Sequence, residues 1–469
     1  MNQRHLSVFC GLLLVSITGF PVGAHPNVLF LAIDDLNDWT GALGGHPQAV
    51  SPNLDRLASE GVLFTNAHCD APACNPSRAA LMTGIRPSTS GVYHNSEPWR
   101  ESPILAEAHT IPQWFRANGY SVRASGKIFH GRFPDPPSWD EYWPSQQKNK
   151  PTDPKPDDLP VNGIPRTSHF DWGPHAEGRE EMGDWQVAEW VAARLGEASD
   201  RPFFLACGFF RPHLPWFAPQ EYFDQFPLDE IRLPETLGGD LDDIPAAGIA
   251  MAKPEGDHAK VVRHDQWKLA VQGYLASIRF VDDCVGHVMD ALDRGPHADD
   301  TIVVLWSDHG WHLGEKEHWR KFALWEEATR VQMIWRVPGV TSAGTRCEEP
   351  VNLLDIYPTL LDLAGLPANP AVEGLSLRPQ LLDTAAPRAR PALTTHGFGN
   401  HAIRDRHWRY IRYDDGSEEL YDHRNDPREH VNLAGDASSD DEKERLSACL
   451  PENNADPVLS RARKTRKNR

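Results

Sequence analysis

The chain has 469 residues and carries 66 acidic against 47 basic side chains, a formal charge of −19. That balance argues against broad non-specific binding to nucleic acid or to an anionic membrane, although a local basic cluster can still hold a small anion. Its length allows two or three domains or one large α/β core. No stretch beyond the first residues is apolar for long enough to span a bilayer, so no transmembrane anchor is expected.

Residues 1–24, MNQRHLSVFCGLLLVSITGFPVGA, place Arg4 before a short apolar run and end in small residues at Val22 and Ala24. This is the layout of a cleavable export signal, and it implies a periplasmic or extracellular destination, or the lysosome in a eukaryote. Cleavage after Ala24 leaves Cys69, Cys74, Cys207, Cys284, Cys347 and Cys449, too few for a disulfide scaffold.

Asn27 to Ile33, NVLFLAI, is a continuous apolar run that stops at Asp34-Asp35, as a strand buried on both faces of a parallel sheet should. Ser51-Pro52 offers an N-cap and a first-turn proline for a helix that Gly61 closes. VLFTNAH (62–68) reads as a second strand, Thr110 to Gly119 as an amphipathic helix, and Tyr120 to His130 as the strand it leads into. From Pro134 to Asp184 the composition is that of a long surface loop, rich in Pro, Asp, Ser, Lys and Trp without periodicity. Helix returns from Gln186 to Leu195. The strand PFFLACGFF (202–210) then ends at Arg211-Pro212-His213. A helix from Trp267 to Leu292 precedes the strand TIVVLW (301–306), which stops at Ser307-Asp308-His309-Gly310. A strand over 331–337 and a helix over 356–365, with Gly365 at its C-cap, complete the pattern.

Strands alternating with helices predict an α/β fold, a large and mostly parallel sheet flanked by helices. After about Leu382 the chain changes character: HAIRDRHWRYIRY alternates, and a DDGSEE turn joins it to LYDHRN, predicting a small antiparallel sheet. The expected organisation is an export signal (1–24), an α/β domain (25–382), a C-terminal subdomain (383–450) and a disordered basic tail (451–469).

The chemistry gathers at the ends of the predicted strands. Cys74-Asn75-Pro76-Ser77-Arg78 is followed by AALMTG, so Cys74 opens a helix where backbone N–H groups and the helix dipole favour negative charge. A lone cysteine is usually a buried thiol. A pattern with four of five residues fixed, however, arises by chance about once in 10⁵ positions. Asp34-Asp35 and Asp308-His309 each follow an apolar strand and should converge at the carboxyl edge of the sheet, where open α/β folds place their sites. Three carboxylates suit a hard cation, Ca²⁺ or Mg²⁺; His309 is a poorer match and either ligates or adjoins the ion.

Cys-x-Pro-Ser-Arg followed by Thr-Gly resembles the signature of the type I, formylglycine-dependent sulfatases of the alkaline-phosphatase superfamily. The resemblance implies that a formylglycine-generating enzyme oxidises Cys74 and that one oxygen of the hydrated aldehyde attacks sulfur. It also implies Ca²⁺, in preference to Mg²⁺, held by Asp34, Asp35, residue 74, Asp308 and His309. Gly126-Lys127-Ile128-Phe129-His130 is similar to the family's lysine and histidine three residues apart, with Lys127 on a sulfate oxygen and His130 taking the proton of the second hydroxyl. Arg78 would brace the site, and Lys321, in WRKF, would hold the sulfate from the leaving-group side.

Arg211-Pro212-His213-Leu214-Pro215-Trp216 resembles a segment of the iduronate-2-sulfatases, which marks His213 as a sulfate contact and proton donor to the departing sugar oxygen. Similarity to that group extends over most of residues 26 to 435, through PFFLACGF, SDHGWHLGE and LYDHRNDPREHVNLA, and suggests Trp311 as a surface for the sugar. The Pro134 to Asp184 loop has no close counterpart. The implied reaction is hydrolysis of a sulfate ester on a sulfated saccharide, the 2-O-sulfate of iduronate or another uronate. Two other readings stand beside it. A phosphoesterase of the same superfamily would carry Thr or Ser at position 74, and a non-catalytic glycan-binding protein would have lost one of the site residues.

Overall fold

Strands without a polar face can be buried only inside a sheet covered on both sides, and such strands form the centre of this molecule. The computed structural model describes residues 25–459 apart from residue 168; the expected export signal (1–24) and the basic run 461–469 lie outside the described residues. Asn27–Ile33 pairs in parallel with Phe203–Phe209 on one side and Thr301–Ser307 on the other, and every residue of the three is buried. The full 8-stranded order is Thr345–Cys347, Val62–Phe64, Met333–Arg336, Thr301–Ser307, Asn27–Ile33, Phe203–Phe209, Ser121–Gly126, Glu141–Trp143. Met333–Arg336 alone runs against both its neighbours, so the sheet is mostly parallel, as expected.

Alternation along Asn27–Ile33 divides the core in two. Leu29, Leu31 and Ile33 pack with helices Pro52–Glu60, Gly183–Leu195 and Trp267–Arg294. Val28, Phe30 and Ala32 face helices Cys74–Thr83, Ile111–Ala117 and Ile356–Leu363. Near the C-terminus, Ala392–Thr395, His401–Arg404, Trp408–Arg412 and Glu418–Asp422 form a separate antiparallel sheet. Buried Arg409 ties this sheet to the segment that follows Lys321: it donates to the Leu324 carbonyl (2.9 Å) and pairs with Glu326 and, nearer its own sheet, with Glu429.

Four local expectations change. The segment 62–68 is not one strand: Val62–Phe64 joins the large sheet, while Ala67–His68 pairs with Val351–Asn352. The strand after Tyr120 stops at Gly126, because Lys127 to His130 leave the sheet and turn over its edge. The Pro134 to Asp184 segment is not all loop: Glu141–Trp143 extends the large sheet, and Trp172–His175 pairs with Trp216–Pro219. Trp172 drives the second pairing by burying its ring against Trp216 and Trp319. The stretch 451–459, expected within a disordered tail, is fixed instead, with Ala455 N donating to Ser88 O (2.7 Å) and Val458 N to Gly91 O (2.9 Å).

All six described cysteines are free thiols, five of them buried and Cys449 exposed. Among the described residues no helix is long and apolar enough to cross a membrane.

One close approach sets the geometry of the sheet edge. Gly126 has φ +86, and a Cβ there would lie 1.8 Å from the Gly208 carbonyl oxygen, so only glycine lets the chain turn here and deliver Lys127. Gly126→Ala is therefore expected to lower unfolding free energy by roughly 2–4 kcal/mol. Urea titration followed by fluorescence checks this, and a change within ±0.5 kcal/mol, the range of an innocuous surface substitution, would contradict it.

Candidate active site

The parallel register puts four strand ends at one level: Ile33 pairs with Phe209 and with Ser307, and Gly126 pairs with Gly208. The residues that follow, Asp34-Asp35, Lys127, Phe210 to His213 and Asp308-His309, therefore emerge along one edge. Helix Cys74–Thr83 points its first residue at that edge. Asp34, Cys74, Asp308 and His309 bring potential ligand atoms within 4.8 Å of one another, as do Asp34, Asp35, Cys74 and His213. The convergence expected of residues 34, 35, 74 and 308 is thus realised.

Arg78 lies one helical turn after Cys74 and is fully buried. Its guanidinium spends its donors on Asp308 (Nε to Oδ2, 2.8 Å), Asp34 (3.2 Å) and the carbonyls of Lys127 (2.6 Å) and Ile128 (3.0 Å). Lys127 pairs with Asp34, and its Nζ lies 3.7 Å from Cys74 Sγ. Lys321 mirrors it, 2.7 Å from Asp35 Oδ1 and 3.4 Å from the same sulfur. Three carboxylates thus face three permanent cations.

The balance shows in the titration of each acid. Burial alone would raise Asp34, but Lys127, His213, Arg78 and Lys321 together hold it well below the usual carboxylate range. Burial wins at the other two, with help from the Asp34 charge, lifting Asp35 to about 6 and Asp308 to about 7. Burial likewise pushes the Cys74 thiol up to about 12, so as a thiol it is a poor nucleophile at neutral pH.

Asp35 adopts φ +61, a conformation that Asp tolerates better than most residues. Two contacts hold it: its N–H donates to Asp308 Oδ1 (3.1 Å), and its carbonyl accepts the Tyr274 hydroxyl (2.8 Å). Among the described residues its buried Oδ2 has no hydrogen-bond partner. A buried carboxylate oxygen left open in an oxygen-rich cluster fits a hard cation such as Ca²⁺ or Mg²⁺.

The histidines divide. His309 Nε2 sits 3.3 Å from Cys74 Sγ, 3.4 Å from Asp35 and 3.5 Å from Asp308, and burial keeps its ring neutral. His213 Nε2 is 3.9 Å from Asp35 Oδ2, with Nδ1 against the Leu214 carbonyl at 2.6 Å. His130 stands outside the ligand cluster; burial, then the Lys127 charge, drive it down to about 3.

Trp311 is where the expectation fails. The Lys321 ammonium covers its ring at 5.0 Å, Trp216 packs against it and it is 1% exposed, so that face is not free for a sugar. Sequence reasoning also missed Tyr274, in the middle of a long helix with no motif to mark it. Ser77, whose hydroxyl donates to the Asp308 carbonyl (2.6 Å), lay inside a quoted motif without a role.

Comparison with known proteins decides the family. The sulfatase family model matches residues 26–366, and the model for the C-terminal part of N-sulphoglucosamine sulphohydrolase matches residues 314–456. The chain belongs to the sulfatase family. It is 40% identical to a sulfatase of Formosa agariphila over 92% of this chain and 87% of that protein. It is 33% identical to the iduronate 2-sulfatase of Mus musculus over 78% of this chain and 73% of that one. Among solved structures, one determined in complex with its substrate D-glucosamine-2-N,6-O-disulfate superposes with a TM-score of 0.73 at 21% identity, over 91% of this chain and 96% of the other. The large sheet with a small C-terminal sheet is therefore the family's fold.

Removing Arg78 would leave two buried carboxylates facing each other without their fixed partner. Arg78→Ala is expected to cost about 3–5 kcal/mol, the usual penalty for breaking a buried ion pair from one side. Chemical denaturation measures it, and a loss below about 1 kcal/mol would show that the lysines suffice.

Proposed function

We propose that this sulfatase-family chain removes the 2-O-sulfate of iduronate or a related uronate in a sulfated glycan, using formylglycine made from Cys74 and a bound Ca²⁺. The observation that carries the reading is the position of Cys74: it is the first residue of a buried helix, with its sulfur within 3.7 Å of both Lys127 and Lys321 and 3.3 Å from His309. The uronate assignment draws support from the 33% identity to an iduronate 2-sulfatase over most of both chains.

The donors fit both groups. Asp34, Asp35 and Asp308, with residue 74 and His309, would hold the cation; its charge would neutralise the ester oxygens, while hydrated formylglycine would supply an oxygen nucleophile. The chain's own side chains do the rest. Lys127 and Lys321 approach residue 74 from opposite carboxylates and would bind sulfate oxygens from two sides. His213 faces the same pocket and is held neutral by burial. An anionic ester beside it favours its protonated form, ready to give a proton to the departing sugar oxygen. His130 is neutral in the resting site, and an anionic ester beside it would raise its basicity so that it could take the proton released when sulfate leaves. Arg78, with its donors already committed, keeps Asp34 and Asp308 in place throughout.

An export signal over residues 1–24 supports maturation by a formylglycine-generating enzyme and work on an external glycan, with the protein acting in the periplasm, outside the cell or in a lysosome.

Protein made in its own host should show aldehyde or hydrate at residue 74 by peptide mass analysis; thiol alone together with full activity would refute the nucleophile. Cys74→Ala should abolish sulfate release from a panel of defined sulfated saccharides while leaving the unfolding midpoint nearly unchanged. Chelation should suppress turnover, and Ca²⁺ should restore it better than Mg²⁺; activity unaffected by exhaustive chelation would remove the cation from the scheme.

A further inference from the structure

A chain of charge −19 nevertheless carries a basic groove beside this site. Two cavities, of about 450 and 380 Å³, share Lys155, Pro215 and Phe217 in their walls and so form one continuous depression. Its outer wall is the segment between residues 148 and 171, the part of the chain without a counterpart in the family resemblance. Lys148, Lys155 and Arg166 line it, all three exposed and none in an ion pair among the described residues.

The acids in the same walls are already committed. Asp153 is neutralised by Arg211 (2.8 Å) and Lys150 (2.5 Å). Asp171 accepts the backbone N–H groups of Val161, Asn162 and Trp172. Five basic side chains, Lys148, Lys150, Lys155, Arg166 and Arg211, against Asp153 and Asp171 give the groove's lining a net positive charge; Asp157 and Asp158 of the same segment are exposed beside it, outside that lining.

It also lies against the catalytic residues. The His169 ring, in its wall, stacks 6.1 Å from the His213 ring. Arg320, next to Lys321 in the chain, reaches the other side of His169 (3.2 Å) and is itself anchored on Asp257 (2.7 Å). At the second cavity Phe210 forms the partition, with Lys127 of the site over its ring at 5.1 Å and Lys150 over the ring at 5.2 Å.

We propose that this groove is a subsite for further anionic sugars of the same glycan, so that the protein acts on oligosaccharide chains in preference to a released monosaccharide. The inference rests on the sulfatase reading and adds the size of its substrate. Fixed positive charges spaced along a depression suit a flexible polyanion, whose sulfates and carboxylates recur along the chain, better than a compact ligand that reaches one of them. Half-buried Pro215, common to both cavities, offers an apolar contact for a sugar ring, while Phe217 beneath it is buried.

The test uses full-length matured protein, with size-defined heparin disaccharide and octasaccharide as binding probes and para-nitrophenyl sulfate as a small ester that cannot reach the groove. The octasaccharide should bind at least about tenfold tighter than the disaccharide. The combined variant Lys148→Ala, Lys155→Ala, Arg166→Ala should lose most of that gain while hydrolysing the small ester at the wild-type rate. The gain should also shrink as salt rises, because the charges are exposed. Equal affinity for the two lengths, or a gain retained by the variant, overturns the groove and leaves the catalytic reading intact. Wild-type protein that releases sulfate from neither the small ester nor either heparin fragment overturns the catalytic reading, and this inference with it.

Discussion

Three carboxylates packed together without solvent exposure would repel one another and take up protons unless cations shared the space, and the whole edge of the sheet is organised to supply them. Asp34, Asp35 and Asp308 are each completely buried. Arg78, Lys127 and Lys321 reach them from a helix N-terminal turn, a strand end and a loop. The division of labour follows from the chemistry of the two cation types. Arg78 has a planar fork whose donors are spent on two carboxylates and two carbonyls, so it cannot leave without stranding several partners. Each lysine is a single ammonium on a flexible stem, and each already lies between a carboxylate and residue 74. A divalent cation entering such a site would favour the ionised form of all three acids and make the site electropositive, and an anionic ester could then draw the lysines off the carboxylates without leaving charge uncompensated.

That arrangement explains why Cys74 and Arg78 occur in one short motif. Residues four apart share a helix face, so the residue aimed at the reacting position and the residue that fixes the carboxylates arrive together when one helix docks. Ser77 adds its bond to the Asp308 carbonyl from the same turn. The strand ends then need only be level, which the parallel register ensures.

Much of this was legible in the amino-acid sequence because the central strands have no polar face and stop at charged pairs; NVLFLAI followed by Asp-Asp and TIVVLW followed by Ser-Asp-His announce both a buried sheet and its functional edge. The failures share a cause. Trp172 and Trp143 are embedded in runs of Pro, Asp and Lys, so local composition signals loop, while long-range ring burial pulls their segments into short sheets. The resemblance through SDHGWHLGE suggests Trp311 for the sugar, yet Lys321, ten residues on, takes up its ring. Tyr274 could not be found at all: its contact with Asp35 joins positions 239 apart and depends on how the long helix crosses the sheet.

The C-terminal sheet gains a function from the same logic. Lys321 lies on a short segment in which Arg320 and Phe322 both have left-handed φ, +78 and +75, conformations that bulky residues adopt only when their surroundings fix them. The fixing contacts come from three directions. A His318 ring nitrogen lies 2.7 Å from the Lys321 carbonyl, and Phe322 N donates to Pro72 O (3.1 Å), in the loop that leads into Cys74. Beyond them, Leu324 and Glu326 are held by Arg409 and Arg404 of the C-terminal sheet. The small sheet thus acts as the rear support of the second lysine, and the strain in that segment is stabilised by buried ion pairs outside the site. Family features therefore do not stop at the large sheet: without its C-terminal partner, the edge would keep its carboxylates, Arg78 and Lys127 but lose the means of placing Lys321 opposite them.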